Sequence, residues 1–288
     1  MSRSRSRVRR ARAVEKAARF VTGATAFAVV GVVAFVVGYI VYRGAGSISW
    51  EFLSQAPRMF MVEGGIWPAI YGTLLLTLWT AVFALPVGIM AGIYLAEYAP
   101  RGPFTRVIRL AIANMAGVPS IVYGLFGLSL FVLTFGFGRS VIAGALTLAC
   151  LTLPVVVTAT EEALRQVPQD LRQASLALGA TRIRTIVKVV LPAAAPGIVT
   201  GSILGLSRAA GETAPILVTA VAFYAPVPDT VFGETMALPY HLYIMATQAV
   251  KPAPHIVWGT ALVLVAGVST INVAAALWRS KQRSRIRW

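Results

Sequence analysis

Six apolar stretches, each at or beyond the roughly 20 residues that carry a helix across hydrocarbon, constrain this chain more than any other feature. They run approximately over 20–42, 68–95, 107–133, 141–160, 193–221 and 256–278. Inside a bilayer every backbone N–H and C=O must be satisfied within the segment or by a closed barrel. Uninterrupted runs of this length therefore predict an all-α, polytopic membrane protein with about six transmembrane helices. Composition agrees, because only 12% of the residues are charged, against roughly a quarter in an ordinary soluble domain. Residues 1–19 hold eight Lys or Arg and look like the basic start of a secretory signal. The apolar run behind them is much longer than the roughly 7–15 residues of a signal's hydrophobic region, so it is expected to stay as a helix.

The net charge of +16 would suggest a nucleic-acid partner in a soluble protein. Here its position decides. Of the 26 Lys and Arg, 21 fall in the N-terminal tail, around the start of the third span, between the fourth and fifth spans, and in the C-terminal tail. The alternate loops hold four (Arg43, Arg58, Arg139 and Lys251), and Arg208 alone lies well inside a span. The positive-inside rule then places both termini in the cytoplasm, with Trp67 and Trp258 at the outer interface and Trp278 at the inner one. The expected organisation is a basic tail over 1–19, a membrane domain over 20–278 and a second basic tail over 279–288. The tails are expected to meet anionic lipid headgroups and no nucleic acid. Cys150 is a small apolar filler, while His241 and His255 are interfacial and too few for a metal site, so no metal or cofactor is expected on this chain.

Two connections are longer than a bundle needs, a cytoplasmic one over 161–192 and an external one over 222–255, and long ordered loops commonly carry function. The external loop holds Pro226, Pro228, Pro239, Pro252 and Pro254, which predicts an irregular path. Its segment from Met236 to Tyr243 is apolar enough to lie on or re-enter the membrane surface. The cytoplasmic loop predicts two short helices. Pro168 opens the first, Leu171, Ala174, Ser175 and Leu178 make one packing face, and Gly179 closes it. Thr181 caps the second, whose apolar face is Ile183, Ile186, Val187 and Val190 before Pro192 interrupts it. An amphipathic hairpin on the bilayer would have that pattern. The small Ala174 and Ser175 in the middle of the first face favour close approach of another protein instead.

The same segment resembles a family. Gln173, Ala174 and Ser175, followed by Gly179, Val189, Leu191 and Pro192, match without a gap the EAA loop of ABC-importer permeases, Glu-Ala-Ala-x3-Gly-x9-Ile-x-Leu-Pro. Gln173 stands where the family has Glu, Ser175 where it has Ala and Val189 where it has Ile. The resemblance implies a type I ABC importer permease fold, with Ala174, Ser175, Gly179, Leu191 and Pro192 in a coupling element that docks an ATPase. The chain has no Gly-x4-Gly-Lys-Ser/Thr phosphate loop of its own, so ATP and Mg are expected on a partner.

Arg208 and Glu212 stand well inside the fifth apolar stretch at i, i+4. An intramembrane charge costs at least about 2.5–3.5 kcal/mol on insertion scales and by default marks a functional site. An ion pair that only locks helix packing remains the alternative. Gly201 and Gly205 fall on approximately the same face and predict a close helix interface. Pro215 cannot donate to the Gly211 carbonyl, which predicts irregular helix beside the pair. Arginine's fork suits a tetrahedral oxyanion, phosphate or sulfate. A neighbouring carboxylate weakens a trap that would otherwise hold the anion and can accept a proton from P–OH, which favours phosphate.

The run from Ser207 to Pro215 resembles the Arg-Ala-x-Gly-Glu-Thr-Ala-Pro signature of the PstA-type permease family of phosphate ABC importers. Gly117 to Gly127 is similar to that family's third-helix segment, and Met236 to Pro239 followed by Tyr243 is similar to its external loop. What the resemblance implies is one half of a heterodimeric channel in a bacterial or archaeal cytoplasmic membrane. A PstC-like permease would form the other half, a PstB-like ATPase dimer would dock inside, and a PstS-like binding protein would deliver phosphate outside. Arg208 and Glu212, with Ser120 and Asn114 of the third span, are the candidate pathway residues. A related permease for sulfate or molybdate is the alternative within the superfamily, and a secondary anion transporter or channel the alternative outside it.

Overall fold

The computed structural model describes residues 2–59, 61, 63–248 and 253–285, with side chains from 14 to 281 within that set. Lipid contacts of the tails beyond those limits, Lys251 and Pro252 lie outside the described residues. The first helix, α1 (Ser2–Gly44), is exposed along its apolar length and rests on the last helix near its C-terminal end, where Tyr39 meets Trp258 edge to face. A short helix, α2 (Trp50–Ser54, capped by Ser49), and a two-stranded hairpin, β1 (Pro57–Arg58) with β2 (Glu63–Gly64), lead into α3 (Trp67–Ile93). A π-helical turn over Tyr94–Tyr98 prolongs α3.

The third apolar stretch is not one helix. It divides into α4 (Pro103–Ala116) and α5 (Ser120–Gly127), the latter carried on by a π-helical segment to Thr134, with a 100° bend between them. Pro119 has no N–H to donate, and it pushes Val118 out of helical conformation. An apolar run therefore hides a backbone break. Counted by length and apolar character, the described residues hold five helices able to cross a membrane, or six with the bent pair taken as one span.

The central helix is α6 (Val141–Arg165), buried against α3 on one side and the fifth span on the other. Small residues permit the approach. A Cβ at Gly88 would lie 2.7 Å from Val156 Cγ1, one at Gly92 2.6 Å from Thr160 Cβ, and one at Gly201 would collide with Ala159. Thr147 and Thr152 of α6 bond one turn back, to the Ala143 and Leu148 carbonyls, so these two hydroxyls cost little in an apolar setting.

After α6 come α7 (Gln169–Ala177) and α8 (Arg182–Thr185). Pro192 does not interrupt the chain there. The second loop helix runs on through a π-helical turn over Ile186–Val190 into α9 (Leu191–Gly211). The wider turn relieves the clash between a proline ring and the carbonyl one turn before it. The expected cytoplasmic loop of 161–192 thus shrinks at both ends, because α6 runs to Arg165 and the fifth span begins at Arg182. At its other end that span stops at Gly211, ten residues before the expected limit, and α10 (Ala214–Leu217) follows as a single turn.

The described part of the loop over 222–255 is ordered by backbone pairing. The Gly233 and Val231 carbonyls accept from Val141 N and Ile142 N at 3.0 and 2.9 Å, satisfying N–H groups that a helix start leaves free. The sequence lets the stretch around α11 (Leu238–Thr247) lie on or re-enter the membrane surface. It is instead folded into protein, with Met236, Leu238 and Met245 buried against Phe52, Ile66 and Ile256, and Leu238 N held by Thr73 Oγ1 at 2.8 Å. His241, expected at the interface, is likewise buried; its Nδ1 lies 3.3 Å from Thr260 Oγ1, and burial pulls its pKa down to about 4, which keeps the ring neutral. The chain closes with α12 (Pro254–Arg285).

Candidate functional site

The end of α9 builds the first half of the site. Residues 191–210 are helical up to Gly211, and Glu212 is the first residue beyond, with extended backbone (φ −76°, ψ 131°). The sequence predicts both charges within one continuous helix; the helix ends between them, after Gly211, and the ring of Pro215 fits the first turn of α10 rather than the last turn of α9. Arg208 Nε still reaches Glu212 Oε1 at 3.3 Å. The two partners differ in exposure, 53% for the Arg208 side chain and 19% for that of Glu212. Glu212 is tucked toward Thr73 and Thr77 of α3, while the guanidinium keeps an open face with donors to spare.

The second half comes from the bent span. α5 lies against α10, where a Cβ on Gly124 would be 3.0 Å from the Ala214 carbonyl oxygen and 3.2 Å from Pro215 Cα. The two sequence runs that resemble one family's motifs, 117–127 and 207–215, therefore meet in space. Tyr123, buried on α5, donates to the Met115 carbonyl at 2.9 Å across the bend. Sequence reasoning missed Tyr123, as it missed Asn272 of α12, whose Oδ1 accepts from Ser207 at 2.7 Å and fixes the other side of α9. Ser120 is half-buried at the start of α5 and Asn114 is exposed near the end of α4. Neither side chain hydrogen-bonds to the charged pair. Gly201 and Gly205 do form a helix interface, but with α6 of the same chain, against Ala159 and Thr152. Arg208, one turn further on, lies past that contact, so the glycines do not share its open surface.

The loop helices form a separate feature. Gly179 has φ +79°, and Ala180 N bonds the Ser175 carbonyl at 3.2 Å while Gly179 N bonds that of Leu176 at 2.9 Å. This is the paired closure of a Schellman motif, and it requires the left-handed residue that glycine supplies at least cost. Thr181 Oγ1 accepts from Arg184 N at 3.4 Å, as a cap should. Ser175 Oγ and Thr185 Oγ1, 2.9 Å apart, tie the two helices together. Arg172 holds α7 to the membrane domain through Glu97 and the Leu164 carbonyl.

The expected packing face of α7 is divided by this arrangement. Leu171 and Ser175 turn inward, whereas Ala174 is exposed and Leu178 is 89% exposed. An apolar side chain so exposed beside two small ones, Ala174 and Ala177, forms a shallow apolar step on the loop surface. The apolar face expected for the second loop helix is divided similarly, with Ile186 and Val190 buried and Ile183 and Val187 exposed. Val190 anchors the loop from below, while Leu191 is half-buried and Pro192 exposed.

Comparison with known proteins gives concordant matches. Residues 88–288 match the family described as "Binding-protein-dependent transport system inner membrane component". The chain is 46% identical over 242 residues to "Phosphate transport system permease protein PstA 1" of Mycobacterium tuberculosis, covering 84% of this chain and 78% of that one. It is 41% identical over 245 residues to "Phosphate transport system permease protein PstA" of Mycobacterium leprae, covering 83% and 80%. Among solved structures, an inward-facing MetNI methionine ABC transporter superposes with a TM-score of 0.61 at 20% identity, over 77% of this chain and 98% of that one. At that identity the likeness is one of fold, a type I ABC importer permease.

Proposed function

Since the chain belongs to the family of binding-protein-dependent transport system inner membrane components, we propose that it is the membrane-spanning permease subunit of an ATP-driven inorganic phosphate importer. The relatives that carry phosphate transport in their names align over most of their length, which supports that reading. The observation that carries the chemistry is the guanidinium of Arg208, open on one face and held on the other by Glu212, at the break where α9 ends against the bent span. An open fork in a low-dielectric wall attracts a tetrahedral oxyanion. The carboxylate beside it keeps the anion from being held too tightly to leave, and accepts a hydrogen bond from the P–OH that phosphate retains near neutral pH. Ser120 and Asn114 extend the same pathway along the bend, and Tyr123 positions the wall behind Arg208.

In this account the chain supplies half of the channel. A PstC-like permease faces the open side of Arg208, a PstS-like protein delivers phosphate at the external loop, and two PstB-like subunits hydrolyse ATP inside. The apolar step of Ala174, Ala177 and Leu178 is the ATPase docking surface, held in orientation by the Gly179 closure and by the continuous helix from Arg182 through Pro192 into α9. A push on the loop is thereby transmitted to Arg208 along one rigid element. The basic tails lie on the cytoplasmic side.

Two measurements check this assignment. Affinity purification of the full chain from its native membrane should recover a second permease and an ATPase, with hydrolysis stimulated by phosphate in the presence of the binding protein. Recovery of the chain alone, with uptake independent of ATP, would point to a secondary transporter. Single cysteines placed at Ser4 and Ser284 should react only from the cytoplasmic side and one at Ser47 only from outside; opposite accessibility of the two termini would mean an odd number of crossings.

A further inference from the structure

A cavity of about 570 Å³ lies on the loop side of the membrane domain, between the end of α3, the start of α4, the end of α6 and the two loop helices. Five guanidinium groups line it, those of Arg101, Arg109, Arg165, Arg172 and Arg182. Two carboxylates pair with them among the described residues. Glu161 meets Arg109 at 2.8 Å and Arg165 at 2.7 Å, and Glu97 meets Arg172. Five positive charges against two negative ones leave three in excess. Arg101 makes no ion pair, and Arg182 has only the Glu97 backbone carbonyl and the face of Tyr98. Arg172 Nε is closed off from solvent and has no acceptor. Buried polar groups nearly always find partners, so the cluster is short of acceptors as well as of negative charge, and its surplus guanidinium groups line the open cavity.

We propose that this cavity binds a phosphoryl oxyanion, either free inorganic phosphate or the phosphate of an anionic lipid headgroup. Guanidinium forks match phosphoryl oxygens in pairs, and a group with several charged acceptors satisfies more of the cluster than a halide does. Its setting suits both sources. The adjoining α4 exposes Phe104, Val107 and Leu110 while sending Arg109 inward, the pattern of a helix lying at a bilayer surface, level with headgroup phosphates. The same mouth is open to phosphate in solution. Gln173 also lines the cavity, so a carboxylate placed there would act as a built-in counter-ion. The exposed Ala174 and Leu178 do not line it, which leaves the docking step of α7 separate from the site. The proposal does not depend on the identity of the cargo.

The test uses the full chain in lipid nanodiscs, with Arg208→Met in every sample so that the pathway arginine contributes nothing. In one arm the discs contain equal phosphatidylcholine and phosphatidylglycerol, and native mass spectrometry should find one phosphatidylglycerol retained per chain. In the other arm the discs contain phosphatidylcholine only, and inorganic phosphate should raise the Tm above the value in chloride of equal ionic strength. Arg101→Ala with Arg182→Ala, and separately Gln173→Glu, should weaken whichever binding is seen by about tenfold or more, the effect of losing a charge-assisted hydrogen bond. Retention of lipid without a phosphate shift assigns the site to a headgroup, and the reverse assigns it to the free anion; both support the proposal. Binding in neither arm, or binding that both variants leave within twofold, overturns it. Loss of ATPase recovery in the variants without loss of either probe would make the cluster a protein contact and overturn it equally.

Discussion

Replacing Arg208 with Met and Glu212 with Leu in the same chain should leave insertion and subunit assembly intact and lower phosphate flux by about a hundredfold, the effect of losing two charge-assisted contacts to the passing anion. Assembly survives because an apolar pair of similar bulk avoids the desolvation cost of two ions, and such replacements of ion pairs are commonly neutral or stabilising. Flux is lost because Arg208, paired to Glu212 at 3.3 Å through Nε, keeps more than half of its side chain exposed for the anion. Arg208→Lys should recover little, since an ammonium lacks the fork. Glu212→Gln should keep flux and reduce discrimination of phosphate against sulfate, read in vesicles from which the binding protein is absent. Wild-type flux through the apolar double variant would reduce the pair to a packing device.

Gly179→Leu should assemble with the ATPase weakly and lose at least about nine-tenths of uptake. The left-handed conformation at φ +79° costs a branched L-residue about 1–2 kcal/mol, so the closure of α7 opens and the step carrying Ala174 and Leu178 shifts. No atom lies within 4 Å of the position where the Cβ would be added, so the chain itself has room for it and should still fold. Gly179→Asn, which tolerates the same backbone, should retain most of the uptake. If Leu and Asn behave alike, the effect is steric contact with the partner rather than loss of the turn. Normal uptake in both would remove the loop from the coupling role.

Much of this architecture is legible in the residue pattern, and the exceptions have physical causes. Long apolar runs locate the spans because burial in lipid leaves few other choices. The bend at 117–119 is less legible, since hydropathy is blind to a backbone break and Pro119 sits in the middle of an otherwise suitable run. The end of α9 at Gly211 is hidden in the same way: Pro215 announces an irregularity, but not that the helix stops before Glu212. In the loop, Gly179 is readable because its φ is a local requirement. The direction in which Ala174 and Leu178 face is not, because Arg172 turns the helix through its tie to Glu97, 75 residues away in the chain. Tyr123 and Asn272 join the site for a similar reason, each positioned by a contact across helices that no spacing encodes. Burial of α11 against Phe52, Ile66 and Ile256 likewise depends on packing partners rather than on its own apolar sequence.

The central claim is that this chain lines an ATP-driven path for phosphate with Arg208 as its anion-facing group. It is tested most directly by reconstituting the chain with its copurified partners in proteoliposomes, with the binding protein and labelled phosphate on the external side and ATP on the side of the loop helices. The account predicts phosphate accumulation against its gradient that requires ATP and the binding protein and is lost in the Arg208→Met, Glu212→Leu double variant while the complex stays assembled. Accumulation that persists in that variant, or that proceeds down a gradient without ATP, would contradict it.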